Sequence, residues 1–225
     1  MVSLSDVQVV IPAAGSGLRF ANEGYKDPKP FIKANNTQLI DLVAQNLPIQ
    51  ISRIIGVFSP SMREYKCENK RIISTYEDSQ DSGRGMALTA FPVCTDYRWV
   101  DKDRPLLVMS CDQFINPVAM KYFLTEALKD RVSSTLTFIN DDPTDLKWSF
   151  AKVHQFDDML YSNMVTEVVE KPDKFVSKFA NVSAYLFHTA QLFINCVRND
   201  LSEKRAFRGK EMYGNDACKE CFDWL

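Results

Sequence analysis

The chain has 225 residues, 45% of them apolar and 25% charged, with a formal net charge of −2. That size and composition suit one globular unit with a sizeable core. The small net charge excludes bulk electrostatic attraction to nucleic acid or to a membrane surface, and no apolar run approaches the ~20 residues that a membrane span needs.

An anion site in such a chain has to be built locally, and the first candidate is near the N-terminus. Val7 to Ile11 is an apolar, β-branched run that predicts a buried strand. It breaks into Pro12-Ala13-Ala14-Gly15-Ser16-Gly17, followed by Arg19 and then Lys29-Pro30. A strand opening into a loop poor in side chains lets backbone N–H groups approach a polyanion, which two cations can neutralise. The alternative is that Arg19 and Lys29 are solvated surface cations. A dinucleotide fingerprint does not fit, because Phe20 stands at the third glycine position, and no Gly-Lys-Ser/Thr follows to make a P-loop.

Leu39 to Leu47 has apolar residues at helical spacing, and Arg53 to Ser59 and Arg71 to Tyr76 read as strands, with a short helix or loop over Ser61 to Lys70. Glu77 to Gly85 is polar and rich in turn formers; Met86 to Phe91 then starts a helix with glycines before it. Pro105 to Ser110 is a strongly apolar strand ending in Cys111-Asp112-Gln113. A carboxylate just past a central strand stands where open α/β sheets bind ligands; its alternative role is to cap the helix predicted over Pro117 to Lys129.

Up to about residue 130 strands and helices alternate, which predicts a parallel, helix-covered sheet. Beyond it, Ser134 to Ile139, Phe150 to His154, Val165 to Glu170 and Val182 to Phe187 are strand candidates with few helices between them, so antiparallel pairing is expected there. Thr189 to Asn199 reads as an amphipathic helix with a threonine cap, and Lys210 to Leu225 as a closing helix. The expected fold is α/β: a Rossmann-like, mixed, mostly parallel sheet covered by helices on both faces, in a single domain over residues 1–225.

Six cysteines and two histidines complete the reactive inventory. Met1 to Asp6 has no basic region of the secretory kind, so a cytoplasmic protein with reduced thiols is expected. Cys218-Lys219-Glu220-Cys221 is the one C-x-x-C, without a second pair, and reads as plain thiols rather than a metal or redox site. His154 and His188 are too few for a histidine-rich metal site.

Several segments together resemble the nucleotidyltransferases that activate sugar phosphates. Ala14-Gly15-Ser16-Gly17-Leu18-Arg19-Phe20 and Pro28-Lys29-Pro30-Phe31 resemble that family's N-terminal signature. Gln80 followed by Gly85 resembles its base-reading segment. Ser110-Cys111-Asp112-Gln113 resembles its metal-holding strand end, and Val168-Val169-Glu170-Lys171-Pro172 its Glu-Lys-Pro motif. Asn181 to Phe187 resembles its Asn-x-Gly-x-Tyr-x-Phe strand, with Ser183 in the glycine's place. Lys147-Trp148-Ser149-Phe150-Ala151 and Gly209 to Tyr213 are similar to a short, single-domain subgroup associated with surface-polysaccharide genes. No further domain of the acyltransferase or β-helix kind is expected.

The resemblance implies attack by an acceptor phosphate on the α-phosphorus of a nucleoside triphosphate, with release of pyrophosphate. Residues 1–130 would be the nucleotide-binding half and residues 131–225 the acceptor-binding half. Arg19, Lys29 and Asp112 are the implied catalytic residues. Ala13, Ala14, Gly15, Ser16 and Gly17, with Gln80 and Gly85, would hold the nucleotide. Glu170, Lys171, Asn181 and Ser183 would hold the acceptor, and Mg²⁺ would sit on Asp112 with Asp216 as second ligand and Asp223 behind it. Ser183 in the glycine's place would narrow or reshape the acceptor pocket. Lys171 has the plain alternative of an exposed ion pair with Glu170, Gln80 that of turn chemistry, and Trp148 and Tyr185 read as core or wall.

The leading expectation is an NDP-sugar made from a sugar 1-phosphate for glycan, capsule or lipopolysaccharide synthesis. One alternative is cytidylyltransferase-type activation of a non-sugar phosphorylated metabolite. Another is a glycosyltransferase of similar fold, which typically has an Asp-x-Asp pair where this chain has Cys111-Asp112-Gln113. A degenerate nucleotide-binding regulator would have lost Arg19, Lys29, Asp112 or Lys171, and all four are present. No nucleic-acid or membrane partner is expected; a homo-oligomer is left open.

Overall fold

The computed structural model describes residues 2–77, 85–155 and 163–202. The first strand, β1 (Gln8–Pro12), lies in the middle of a parallel set. The chain enters a five-residue helix, α1 (Leu18–Asn22), and a small hairpin, β2 (Lys33–Ala34) and β3 (Thr37–Gln38). It crosses through α2 (Leu39–Asn46) to β4 (Ile54–Phe58), which pairs with β1, and then to β5 (Ile72–Tyr76) beyond β4. After α3 (Met86–Thr95), strand β6 (Leu106–Met109) returns to the other side of β1. All three of these pairings are parallel.

The second half adds antiparallel strands, as its helix-poor sequence predicts. After α4 (Pro117–Asp130) come β7 (Ser134–Ile139), β8 (Ser149–Gln155), β9 (Asn163–Glu170) and β10 (Phe179–Phe187), then α5 (Ala190–Ser202). Strand β10 runs antiparallel to β6, β7 and β8, and β8 to β9. The result is one mixed eight-stranded sheet in the order β5-β4-β1-β6-β10-β8-β9, with β7 paired to β10 off that path.

Period-two alternation explains why helices cover both faces. Val9, Ile11, Ile54, Phe58, Leu107, Met109 and Leu186 face one cluster, closed by Ile40 and Val43 of α2 and Met120 and Leu124 of α4. Val10, Ile55, Val57, Leu106, Val108 and Phe187 face the other, closed by Ala90 and Val93 of α3 and Phe193 and Val197 of α5. Strands β1, β4 and β6 are therefore continuous apolar runs, because neither face meets water. Each fully buried aliphatic side chain contributes about 1.5–3 kcal/mol.

Local capping follows the sequence. Asn116 Oδ1 accepts from the Val118 and Ala119 N–H groups at the start of α4, with Pro117 in its first turn. Thr189 Oγ1 accepts from the Leu192 N–H at the start of α5. Two helices differ from expectation. Helix α3 starts at Met86 as expected and runs beyond the Met86 to Phe91 segment, through Pro92 to Thr95. Helix α1 is a single turn with no apolar period to announce it. Cys67, Cys94 and Cys111 are free thiols, whereas Cys196 is disulfide-bonded, so the expectation of reduced thiols throughout fails at Cys196. Cys218 and Cys221 lie outside the described residues. Among those residues no helix is long and apolar enough to cross a membrane.

Candidate active site

After β1 the chain moves outward to β4 and β5, then returns to β6 on β1's other side. Such a reversal of strand order opens a crevice at the carboxyl ends of the strands. A cavity of about 900 Å³ lies there, lined by the loop after β1, the start of α3, the loop after β6, the start of β8, the end of β9 and the middle of β10.

The nucleotide side is built by the loop. Ala13 is anchored by its N–H to the Val57 carbonyl at 2.8 Å, so the chain leaves the sheet just past that point. Ala13 to Gly17 and Arg19 line the cavity, as does Gly85 at the start of α3. Gly17 has φ +61°, and a Cβ there would stand 3.1 Å from the Lys29 Cβ. Glycine thus allows both the left-handed turn into α1 and the close approach of the strand-loop to Lys29.

Lys29 and Asp112, far apart in the chain, meet inside the cavity. Lys29 Nζ lies 2.6 Å from Asp112 Oδ2, with both side chains about a quarter exposed. Ser110 Oγ donates to the other carboxylate oxygen, Asp112 Oδ1. Burial opposes the charge on Lys29, but the facing Cys111 and Asp112 outweigh it and raise the Lys29 pKa above its ordinary 10.5. Burial pushes the Cys111 thiol up to about 11, so the group is neutral at pH 7. Asn116, not Asp112, caps α4, which removes the plain structural role for Asp112.

The acceptor side is a pinned corner. Ser149 of β8 stands opposite Glu170 of β9, and the Lys171 N–H donates to the Trp148 carbonyl at 3.0 Å. Lys171 has φ +40°, a left-handed conformation at the end of a strand. Its ammonium lies 3.7 Å from Glu170 Oε1, so the ion pair exists and also lines the cavity. Ser183 has φ +54° within an irregularity of β10 between Asn181 and Tyr185. Asn181 holds that irregularity: its Oδ1 accepts from the Ser183 N–H at 2.6 Å and its Nδ2 donates to Thr135 Oγ1 at 2.5 Å. The Ser183 carbonyl accepts from the Ser110 N–H at 3.0 Å, tying this wall to the Asp112 loop.

Of the residues anticipated from the sequence, Ala13, Ala14, Gly15, Ser16, Gly17, Arg19, Lys29, Gly85, Asp112, Glu170, Lys171, Asn181 and Ser183 all line this one cavity. Gln80, Asp216 and Asp223 lie outside the described residues. Trp148 forms wall and Tyr185 is core, as expected. Ser110, Lys147 and Ser149 also line the cavity; the sequence motifs contain them, but nothing in residue type or spacing marks their side chains as facing a ligand.

A magnesium ion takes hard oxygen ligands and commonly uses one or two carboxylates together with substrate phosphates. Asp112, partly exposed in the cavity beside a phosphate-sized, side-chain-poor loop, fits that pattern. No group of three or more metal-ligating side chains occurs among the described residues, so a fully protein-made cage is not found there.

Residues 8–221 match the family model described as nucleotidyl transferase. Comparison with curated proteins finds no match. Among solved structures, a UDP-glucose pyrophosphorylase complexed with UDP-glucose superposes with a TM-score of 0.68 over 100% of this chain and 88% of its own, at 17% identity. A Bacillus anthracis protein described as a glucose-1-phosphate thymidylyltransferase gives 0.68, covering 97% of this chain and 82% of its own, at 16% identity. A nucleoside-diphosphate-sugar pyrophosphorylase from Vibrio cholerae RC9 gives 0.62, covering 92% and 83%, at 18% identity. At these identities the likeness is one of fold.

Proposed function

The chain belongs to the nucleotidyl transferase family, and from that premise we propose that it joins a nucleoside triphosphate to a sugar 1-phosphate, releasing pyrophosphate and giving an NDP-sugar for glycan assembly. The observation that carries this reading is that one cavity gathers a side-chain-poor loop, Arg19, Lys29, Asp112 and Lys171. Those are the parts two mutually repelling anions need in order to react.

In the proposed step, an acceptor phosphate oxygen forms a bond to the α-phosphorus while the bond from that phosphorus to the bridging oxygen of pyrophosphate breaks. The electron pair leaves with pyrophosphate. The nucleophile is already ionised near neutral pH, so no general base is required, and catalysis consists of neutralisation and alignment. The Ala13 to Gly17 backbone and Arg19 would hold the triphosphate. Lys29, whose raised pKa keeps it charged, would offset negative charge developing toward the leaving group. Lys171, held in place by its backbone bond to Trp148, would fix the acceptor phosphate. Asp112 would hold Mg²⁺, which supplies charge neutralisation between the two phosphates when bound. Ser110 would keep the carboxylate turned into the cavity.

The test is pyrophosphate release by the purified chain with Mg²⁺, each nucleoside triphosphate being crossed with a panel of phosphorylated acceptors. Release with a sugar 1-phosphate and one preferred triphosphate is expected. Release only with a non-sugar phosphate would keep the transferase and replace the acceptor.

A further inference from the structure

Three buried side-chain atoms among the described residues have no hydrogen-bond partner: Gln38 Oε1, Glu77 Oε2 and Ser149 Oγ. Of these three residues only Ser149 lines the cavity. It is 6% exposed, opens β8, and is followed by the fully buried Phe150 and Ala151. An alanine would satisfy that packing without leaving a polar atom unmatched. A hydroxyl carries one donor and two lone pairs, and burying it unpaired is unfavourable.

The surroundings say where its partner would come from. Ser149 stands opposite Glu170 and beside the Trp148–Lys171 backbone bond, so it belongs to the corner that presents the Lys171 ammonium. The neighbouring buried amide, Asn181, is already engaged by Thr135 and Ser183. Among the described residues that line the cavity, Ser149 is the one with a buried side-chain oxygen lacking a partner.

Resting on the transferase reading, we propose that Ser149 is a specificity-determining residue that hydrogen-bonds a hydroxyl of the acceptor, beside the phosphate held by Lys171. Its Oγ is sheltered while the residue lines the cavity, so a change of rotamer about the Cα–Cβ bond is the movement by which it would meet a ligand. A site built around a hydroxyl rejects an analogue that lacks it, because the protein group is then left unpaired, and it does so more sharply than an apolar pocket rejects an added one. The acceptor is therefore a hydroxylated phosphate ester rather than one with an apolar or cationic body.

The experiment measures pyrophosphate release for the wild type, Ser149→Ala and Ser149→Cys, each substrate being varied at saturation of the other. The acceptors are glucose 1-phosphate, its monodeoxy forms, and phosphocholine, which has no hydroxyl. The expected result is that Ser149→Ala raises the acceptor KM about tenfold to a hundredfold, with the triphosphate KM and the Tm unchanged. One deoxy form shows the same loss on the wild type and no further loss on the variant. Ser149→Cys keeps the side-chain shape in a slightly larger atom with a weak donor and shows the same KM rise if the alanine variant folds poorly. An unchanged acceptor KM in both variants, additive losses, or faster wild-type turnover of phosphocholine than of glucose 1-phosphate would overturn the proposal. Absence of release by the wild type with any pairing is a different outcome, which defeats the transferase reading and takes this proposal with it.

Discussion

Asp112 has both carboxylate oxygens engaged within the chain: Oδ1 accepts from Ser110, and Oδ2 faces the Lys29 ammonium at 2.6 Å. In the proposed reaction a triphosphate would offer Lys29 a stronger anion and draw it off, which would leave Oδ2 for a divalent cation. Both side chains are partly open to water, so the pair itself adds little to stability, about 1 kcal/mol or less. Lys29→Met and Asp112→Asn are each expected to lower kcat at least about 100-fold while calorimetry finds Tm nearly unchanged. Either variant at wild-type rate would remove that residue from the chemistry. The raised Lys29 pKa gives a second expectation. Its charge, and any stability that charge contributes, is fully present below the ordinary 10.5 and lost only as pH rises through the higher folded value. A profile of kcat/KM between about pH 6 and 9 should therefore contain no limb from Lys29; a basic limb that disappears in Lys29→Arg would contradict this.

Strand β10 carries the clearest local conflict between residue and backbone. Ser183 sits at φ +54°, in the left-handed region that favours glycine, and Asn181 fastens its N–H there. A left-handed residue with a side chain costs about 1–2 kcal/mol, while glycine carries an entropic cost of about 0.5–1 kcal/mol. Ser183→Gly should thus raise the unfolding free energy by about 0.5 kcal/mol in urea titration. A loss above about 1 kcal/mol would mean that the hydroxyl makes a contact worth more than the backbone strain. Elements of this kind divide what the sequence could tell from what it could not. Strands β1, β4 and β6 were readable because burial on both faces demands unbroken β-branched and aliphatic runs. Helix α4 was readable from Pro117, which suits a first turn, although the sequence offered Asp112 as its possible cap and the structure uses Asn116. Helix α1 was not, since Leu18 to Asn22 is one turn fixed by the Gly17 conformation. Ser110 and Ser149 could not be singled out either, because their roles depend on which way a short side chain points, and that is decided by β6–β10 and β8–β9 pairing.

At the scale of the whole molecule, topology does the assembling. Placing β1 between β4 and β6 opens the crevice, and reversing β10 against β6 brings the acceptor wall to the same end of the sheet. Lys29, Asp112 and Lys171 converge only because of that order. Their identities could be read from motifs, whereas the Lys29–Asp112 contact required the fold. The family membership and the cavity lead to one central claim: a triphosphate and a phosphorylated acceptor react here with loss of pyrophosphate. Pyrophosphate release with Mg²⁺, measured across the nucleoside triphosphates and a panel of phosphorylated acceptors, tests it most directly. Release is expected for one preferred triphosphate with a sugar 1-phosphate, abolished by chelating the metal. No release with any pairing, together with no triphosphate binding by calorimetry, would contradict it.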